Sequence, residues 1–205
     1  MIAAPEALQR LQAGNRRFVS GEHSNDTLAS PSRRHELAEG QAPFAIVLGC
    51  SDSRVPAEIV FDQGLGDLFV IRVAGNIVAP SQIGSVEFAA QRFDTRLVVV
   101  LGHSRCGAIE ATLEQLQRPT ENAARHLDSI VDRIRPAVQG LLATDLPRNP
   151  ESLMQHAVRA NIRASANQLR HGSQLIEDLV RTDKLLIVGA EYSLETGVVE
   201  FFDGV

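Results

Sequence analysis

Tryptophan is absent from the 205 residues, and aromatic side chains make up only 4% of them. Aliphatic side chains must therefore fill the core, and 44% hydrophobic residues suffice for that. Cysteine occurs twice. Two thiols make no disulfide framework, which removes the small stapled secreted folds. Positive charge is not in excess: 20 basic against 25 acidic residues leave −5, which argues against nucleic acid as the main partner. No apolar run approaches the ~20 residues of a membrane span. Met1 to Arg10 carries an early Glu6 and no apolar h-region, so no secretory signal is expected. These absences together predict a cytoplasmic protein. No internal repeat or low-complexity stretch divides the chain, so one domain over 1–205 is expected.

What is present alternates between strand and helix patterns. Ala4 to Ser20 reads as a helix with Gly21 as its stop. Its apolar stripe of Leu8, Leu11 and Phe18 is thin, which places it on another surface, that of a partner subunit. His23 to Ser32 reads as a loop, and Pro31 opens a short helix over Arg33 to Glu39. Phe44 to Leu48 has the length and branching of a buried strand. Val55 to Phe61 predicts a short helix, Asp67 to Val73 a second strand, and Ala74-Gly75-Asn76 its exit turn. Ser81 is placed to cap a helix to about Arg92, with Ile83, Val86 and Phe88 inward. Leu97 to Leu101 is the third strand, followed by a helix from near Ser104 to Gln117. Residues 121 to 182 carry only helical spacing. Pro136 marks a kink in the run from Ile130 to Leu142, and further helices are expected at Leu153–Leu169 and Gln174–Val180. Leu185 to Ala190 is a fourth strand, and Val198 to Phe202 an antiparallel edge strand. This order predicts an α/β fold. Four parallel strands and one antiparallel edge strand form its sheet, flanked by helices, with a helical N-terminal arm over 1–40.

Both cysteines stand just beyond predicted strands. Cys50 follows the first strand, within Gly49-Cys50-Ser51-Asp52-Ser53-Arg54. Cys106 follows the third, within Gly102-His103-Ser104-Arg105-Cys106-Gly107. The carboxyl ends of parallel strands are where open α/β sheets bind ligands. Thiolates and imidazole are zinc's usual ligands, so Cys50, His103 and Cys106 form a candidate site for one Zn²⁺. Three protein ligands leave a fourth position open, and water there would have a pKa near ~7. A buried thiol with an unrelated surface histidine is the plainer alternative, and a Cys50–Cys106 disulfide the other. Asp52 and Arg54 alternate with Cys50 and share its face in an extended stretch. Asp52 then either accepts a hydrogen bond from the reacting water, held by Arg54, or swings onto the metal and excludes water. Gly64-Leu65-Gly66 lacks the rest of a dinucleotide fingerprint. His23, His35, His126, His156 and His171 read as surface or structurally satisfied histidines.

These motifs resemble the β-class carbonic anhydrases. The residues that carry the likeness are Cys50-Ser51-Asp52-Ser53-Arg54-Val55 and Gly102-His103-Ser104-Arg105-Cys106-Gly107-Ala108. Gly64 to Arg72, Ala74-Gly75-Asn76 and Leu11 to Gly21 support them. The resemblance implies reversible hydration of CO₂ to bicarbonate and a proton by zinc-bound hydroxide. It implies Cys50, His103 and Cys106 as ligands of one zinc per subunit, and Asp52 and Arg54 as a catalytic dyad. It also implies a homodimer or homotetramer with active sites at the subunit interface, and no nucleic acid or membrane partner. Gln41, Phe69, Ala74, Phe88 and Gly107 stand where the family lines its substrate pocket, Gln41 reaching in from across the interface. Phe88 replaces the tyrosine and Ala74 the valine of some members. Gln41 points to an open site, and Val47 stands where closing members often carry a tryptophan. Relatives on this scaffold that hydrolyse carbonyl sulfide or carbon disulfide are the nearest alternative. A non-catalytic zinc-binding interaction protein is the other.

Overall fold

The computed structural model describes residues 2–22, 30–118 and 127–205. The expectations for His23, His126 and most of the 23–32 loop lie outside the described residues. In chain order the helices and strands are α1 (Ala4–Ser20), α2 (Pro31–Glu36), β1 (Ala45–Gly49), α3 (Ala57–Val60), β2 (Leu68–Arg72) and α4 (Pro80–Phe93). They continue as β3 (Leu97–His103), α5 (Gly107–Gln117), α6 (Asp128–Val138), α7 (Pro150–Arg170), α8 (Gln174–Arg181), β4 (Leu186–Tyr192) and β5 (Val199–Asp203). No described helix is long and apolar enough to cross a membrane.

The five strands form one sheet in the order β2-β1-β3-β4-β5, parallel except for β5. Side chains alternate across it. Ile46, Leu48, Val98, Val100 and Ile187 face one core, shared with α4 to α8. Ala45, Val47, Leu97, Val99, Leu101 and Val188 face the other, shared with α1 and α3. Both faces are covered, so the central strands read as unbroken apolar runs. Each fully buried Val, Leu or Ile contributes roughly 1.5–3 kcal/mol, which is how a core without tryptophan holds together.

The strand order positions the site. β1 lies beside β3, with Gly49 level with Leu101. The residues that follow β1 therefore meet the end of β3. β3 runs two residues past the predicted end, to His103, because β4 keeps pairing with it as far as Tyr192. The following helix begins at Gly107 instead of near Ser104. Arg105 holds a left-handed φ of 52° and Cys106 is extended, so 104–106 is a turn.

Two further expectations are corrected. Phe88 does not point inward: it is 53% exposed, while Val86 and Ala89 are fully buried. Residues 86 and 88 lie about 200° apart on a helix, so both cannot face one core. Ser81 is not the cap of α4, since Ala79 takes that position with Pro80 opening the first turn.

Part of the apolar face of α1 is covered inside its own chain. Ala7 and Leu11 are fully buried against the α1–α3 core. Asn15 pins the helix, donating through Nδ2 to the carbonyls of Val60 (3.1 Å) and Gly197 (2.9 Å) and accepting from the Val199 amide (2.8 Å). Leu8 and Phe18, the other two residues of the stripe, stay partly exposed. Gly14 makes the closest approach: a Cβ there would stand 1.8 Å from the Phe61 carbonyl oxygen. Gly14→Ala is expected to cost about 3 kcal/mol, at the upper end for overpacking. Gly40→Ala, with nothing among the described residues within 4 Å of its Cβ position, is the control. Denaturant midpoints of the two variants check the difference.

Candidate metal centre

Cys50, His103 and Cys106 converge, all three buried, with their ligand atoms within 4.8 Å of one another. The two sulfurs are 4.0 Å apart and both thiols are free. Two sulfurs at the usual Zn–S distance in a tetrahedron stand about 3.8 Å apart, so the spacing fits zinc and is far too long for a disulfide. The two thiols share a hydrogen bond, which pulls the Cys50 thiol below its ordinary range despite burial. The same proton sharing, with burial, pushes Cys106 up. A cation between the sulfurs would take the place of that shared proton.

His103 completes the test. Its side chain is fully buried. Nδ1 lies 2.9 Å from the Ser104 carbonyl, which can only accept, so Nδ1 carries the hydrogen. Nε2 is left with a lone pair and has no hydrogen-bond partner among the described residues. An orphaned buried acceptor facing two thiols is what a metal would satisfy. Ser104 is itself held: its amide donates to Tyr192 O (2.9 Å), and its hydroxyl donates to Glu195 (2.9 Å) and accepts from the Leu194 amide (3.0 Å). Arg105 also grips Glu195, at 2.8 Å. The β4–β5 hairpin thus clamps the turn between His103 and Cys106.

Asp52 and Arg54 form the expected pair. Arg54 Nε and Nη2 donate to Asp52 Oδ1 (2.9 Å) and Oδ2 (2.7 Å), and the Arg54 amide adds a bond to Oδ1 (3.0 Å). The guanidinium holds the carboxyl well below the usual carboxylate range. Oδ2 stands 3.8 Å from His103 Nε2. The carboxylate therefore borders the candidate ligand group.

Other predicted pocket residues divide into two sets. Ala74 and Gly107 lie with the ligands: Ala74 precedes Gly75, whose amide donates to Cys50 Sγ (3.3 Å), and Gly107 follows Cys106 and is exposed. Phe69 pairs in register with Ile46, four residues before Cys50, or about 13 Å down the strand. Phe88 sits against it, ring centres 6.1 Å apart. Gln41 is exposed and precedes β1 altogether. The chain does not bring these three to its own Cys50.

Three supporting residues escaped sequence reasoning. Arg72 donates to the carbonyls of Cys50 (2.9 Å) and Asp52 (2.6 Å), fixing the strand exit. Asn161 donates to the Gly75 carbonyl (2.8 Å) from α7. Glu195 holds the other turn, as above. Arg72 had a signal, as the charged residue ending the second apolar run. Asn161 and Glu195 had none, being remote in sequence from what they hold.

Comparison with known proteins agrees with this geometry. The family model described as carbonic anhydrase matches residues 45–199. "Carbonic anhydrase" of Mycolicibacterium smegmatis is 39% identical over 194 residues, covering 95% of this chain and 91% of that one. "Carbonic anhydrase 2" of Mycobacterium tuberculosis is 37% identical over 191 residues, 93% and 89% of the two chains. Among solved structures, the β-carbonic anhydrase CcaA superposes with a TM-score of 0.74 at 27% identity, covering 97% and 92%. The chain belongs to the β-class carbonic anhydrases, the family of enzymes that hydrate carbon dioxide.

Proposed function

We propose that the chain interconverts CO₂ and bicarbonate using one zinc ion held by Cys50, His103 and Cys106. The observation that carries this reading is the buried, unpartnered His103 Nε2 beside two free sulfurs. Zinc bound there supplies Lewis acidity that brings the pKa of water near ~7. The chain's own residues do the rest. Asp52 accepts the nucleophile's hydrogen at Oδ2, because Oδ1 is taken twice by Arg54. Arg54 fixes the carboxylate's direction, so the nucleophile's lone pair is aimed and no reorientation is needed at the reaction. Arg72 keeps the Cys50 and Asp52 backbone from moving under that pull.

Asp52 turned to Arg54 supports an open site, since closure would break this two-point pair. Gln41, Phe69 and Phe88 support a homo-oligomer. Standing away from their own Cys50, they can line a substrate pocket only in a second copy. Two β-carbonic anhydrases from Sordaria macrospora, similar in fold, are described as tetrameric. The free thiols suit a reducing cytoplasm.

The test is stopped-flow CO₂ hydration from about pH 6 to 9, with zinc counted on the same sample. One zinc per chain and hydration that persists across the range are expected. Sharp loss below about pH 8 with zinc retained would place Asp52 on the metal. Bound zinc without hydration at any pH would leave a binding protein and no enzyme.

A further inference from the structure

We infer that Asn161, on α7, is a positioning residue for the Cys50 sulfur, acting through Gly75. This rests on the zinc reading above. Gly75 donates its amide to Cys50 Sγ at 3.3 Å. It does so from a left-handed φ of 70°, in a turn closed by the Asn76 amide on Val73 O (3.0 Å). Only glycine fits: a Cβ would stand 2.8 Å from Ile134 Cδ1 and 3.1 Å from Ala108 Cβ. Glycine is also the residue whose backbone turns most freely, so this N–H needs an anchor. Asn161 provides it from the far side. Its Nδ2 donates to the Gly75 carbonyl at 2.8 Å, and its side chain is buried. With the next peptide held, the Gly75 amide cannot swing off the sulfur.

The same helix braces the other arm. Ile162, the next residue, fills the space over Gly102, where a Cβ would meet its Cδ1 at 2.5 Å. Gly102 directly precedes His103. Two successive residues of α7 thus sit behind two ligands on different strands. Ile162 acts by packing alone. Asn161 acts by direction, because an N–H donated to a thiolate withdraws charge from the sulfur and sets how strongly it binds metal.

The experiment compares Asn161→Leu with Leu169→Ala, a buried change about two turns further along α7. Asn161→Leu removes the donor and keeps the branched shape and heavy-atom count of the side chain. Zinc affinity is read by chelator competition, and the sulfur-to-metal charge-transfer band by absorption of the cobalt(II)-loaded protein. Asn161→Leu is expected to weaken zinc about tenfold, the lower end for a lost ligand-orienting contact. It should also shift the cobalt band to lower energy, since a sulfur without its N–H donor gives up charge more easily. Leu169→Ala should lower stability and leave the band in place. An unmoved band and affinity in folded Asn161→Leu, or equal shifts in both variants, overturns the role. If Asn161→Leu does not fold, cadmium-loaded native protein decides. A scalar coupling between cadmium and the Gly75 amide proton is expected through the N–H···S bond, and its absence overturns the proposal. Native protein that takes up neither zinc nor cobalt overturns the metal reading, and this inference with it. Native binding with an unmoved variant overturns this inference alone.

Discussion

Cys50→Ser loses zinc and CO₂ hydration together. Cys50 is one of two sulfurs in a three-ligand group, and the Cys106 thiol already shares its proton with it. Serine's hydroxyl does not ionise near neutral pH and is a poor ligand for a metal that prefers thiolate and imidazole. His103 and Cys106 are left as two ligands with one negative charge between them. Zinc content should fall from about one per chain to near none, because site affinity depends on deprotonated ligands in number. The fold should survive. β1 is paired on both sides up to Gly49, and serine can still accept the Gly75 amide. Metal analysis, stopped-flow rates and circular dichroism on one preparation check all three points. Full activity in a zinc-free, folded variant would end the zinc reading.

How far the sequence foretold this site depends on the distance over which each residue acts. Cys50 and Cys106 were legible because apolar runs, each closed by glycine, end just before them. Their meeting required β1 and β3 to be neighbours, which only the paired sheet shows. Asp52 and Arg54 were legible because they act on each other two residues apart. Phe88 was misread because counting apolar residues ignored the angle between positions 86 and 88. The turn at 104–106 was misread as the start of a helix because nothing local announces that Arg105 will adopt a positive φ. Asn161 and Glu195 reach across 86 and 91 residues to the groups they hold. Such contacts are made by the packing of α7 and the hairpin onto the sheet, so no local pattern encodes them.

Asp52→Asn keeps zinc and slows hydration by about a hundredfold, the lower range for losing a positioned proton acceptor. Asparagine is nearly isosteric, and no ligand atom changes, so metal content should match the native protein. The difference lies in hydrogen-bond direction. Arg54 offers two side-chain donors and one amide, and the carboxylate accepts all three. An amide has one accepting oxygen and a donating nitrogen. If the nitrogen faces Arg54, donor meets donor and the pair is lost. If it faces the ligand group, a donor stands where an acceptor is required. Either orientation removes the aimed Oδ2. Asp52 has its folded pKa depressed by Arg54. Its stabilising contribution is thus complete above the unfolded value of about 3.9 and is lost only as pH falls through the lower folded value. From about pH 6 to 9 it stays ionised, so its own titration does not shape the native rate profile in that range. A native-like rate in zinc-loaded Asp52→Asn would show that Arg54 and the metal ligands orient the nucleophile without the carboxylate.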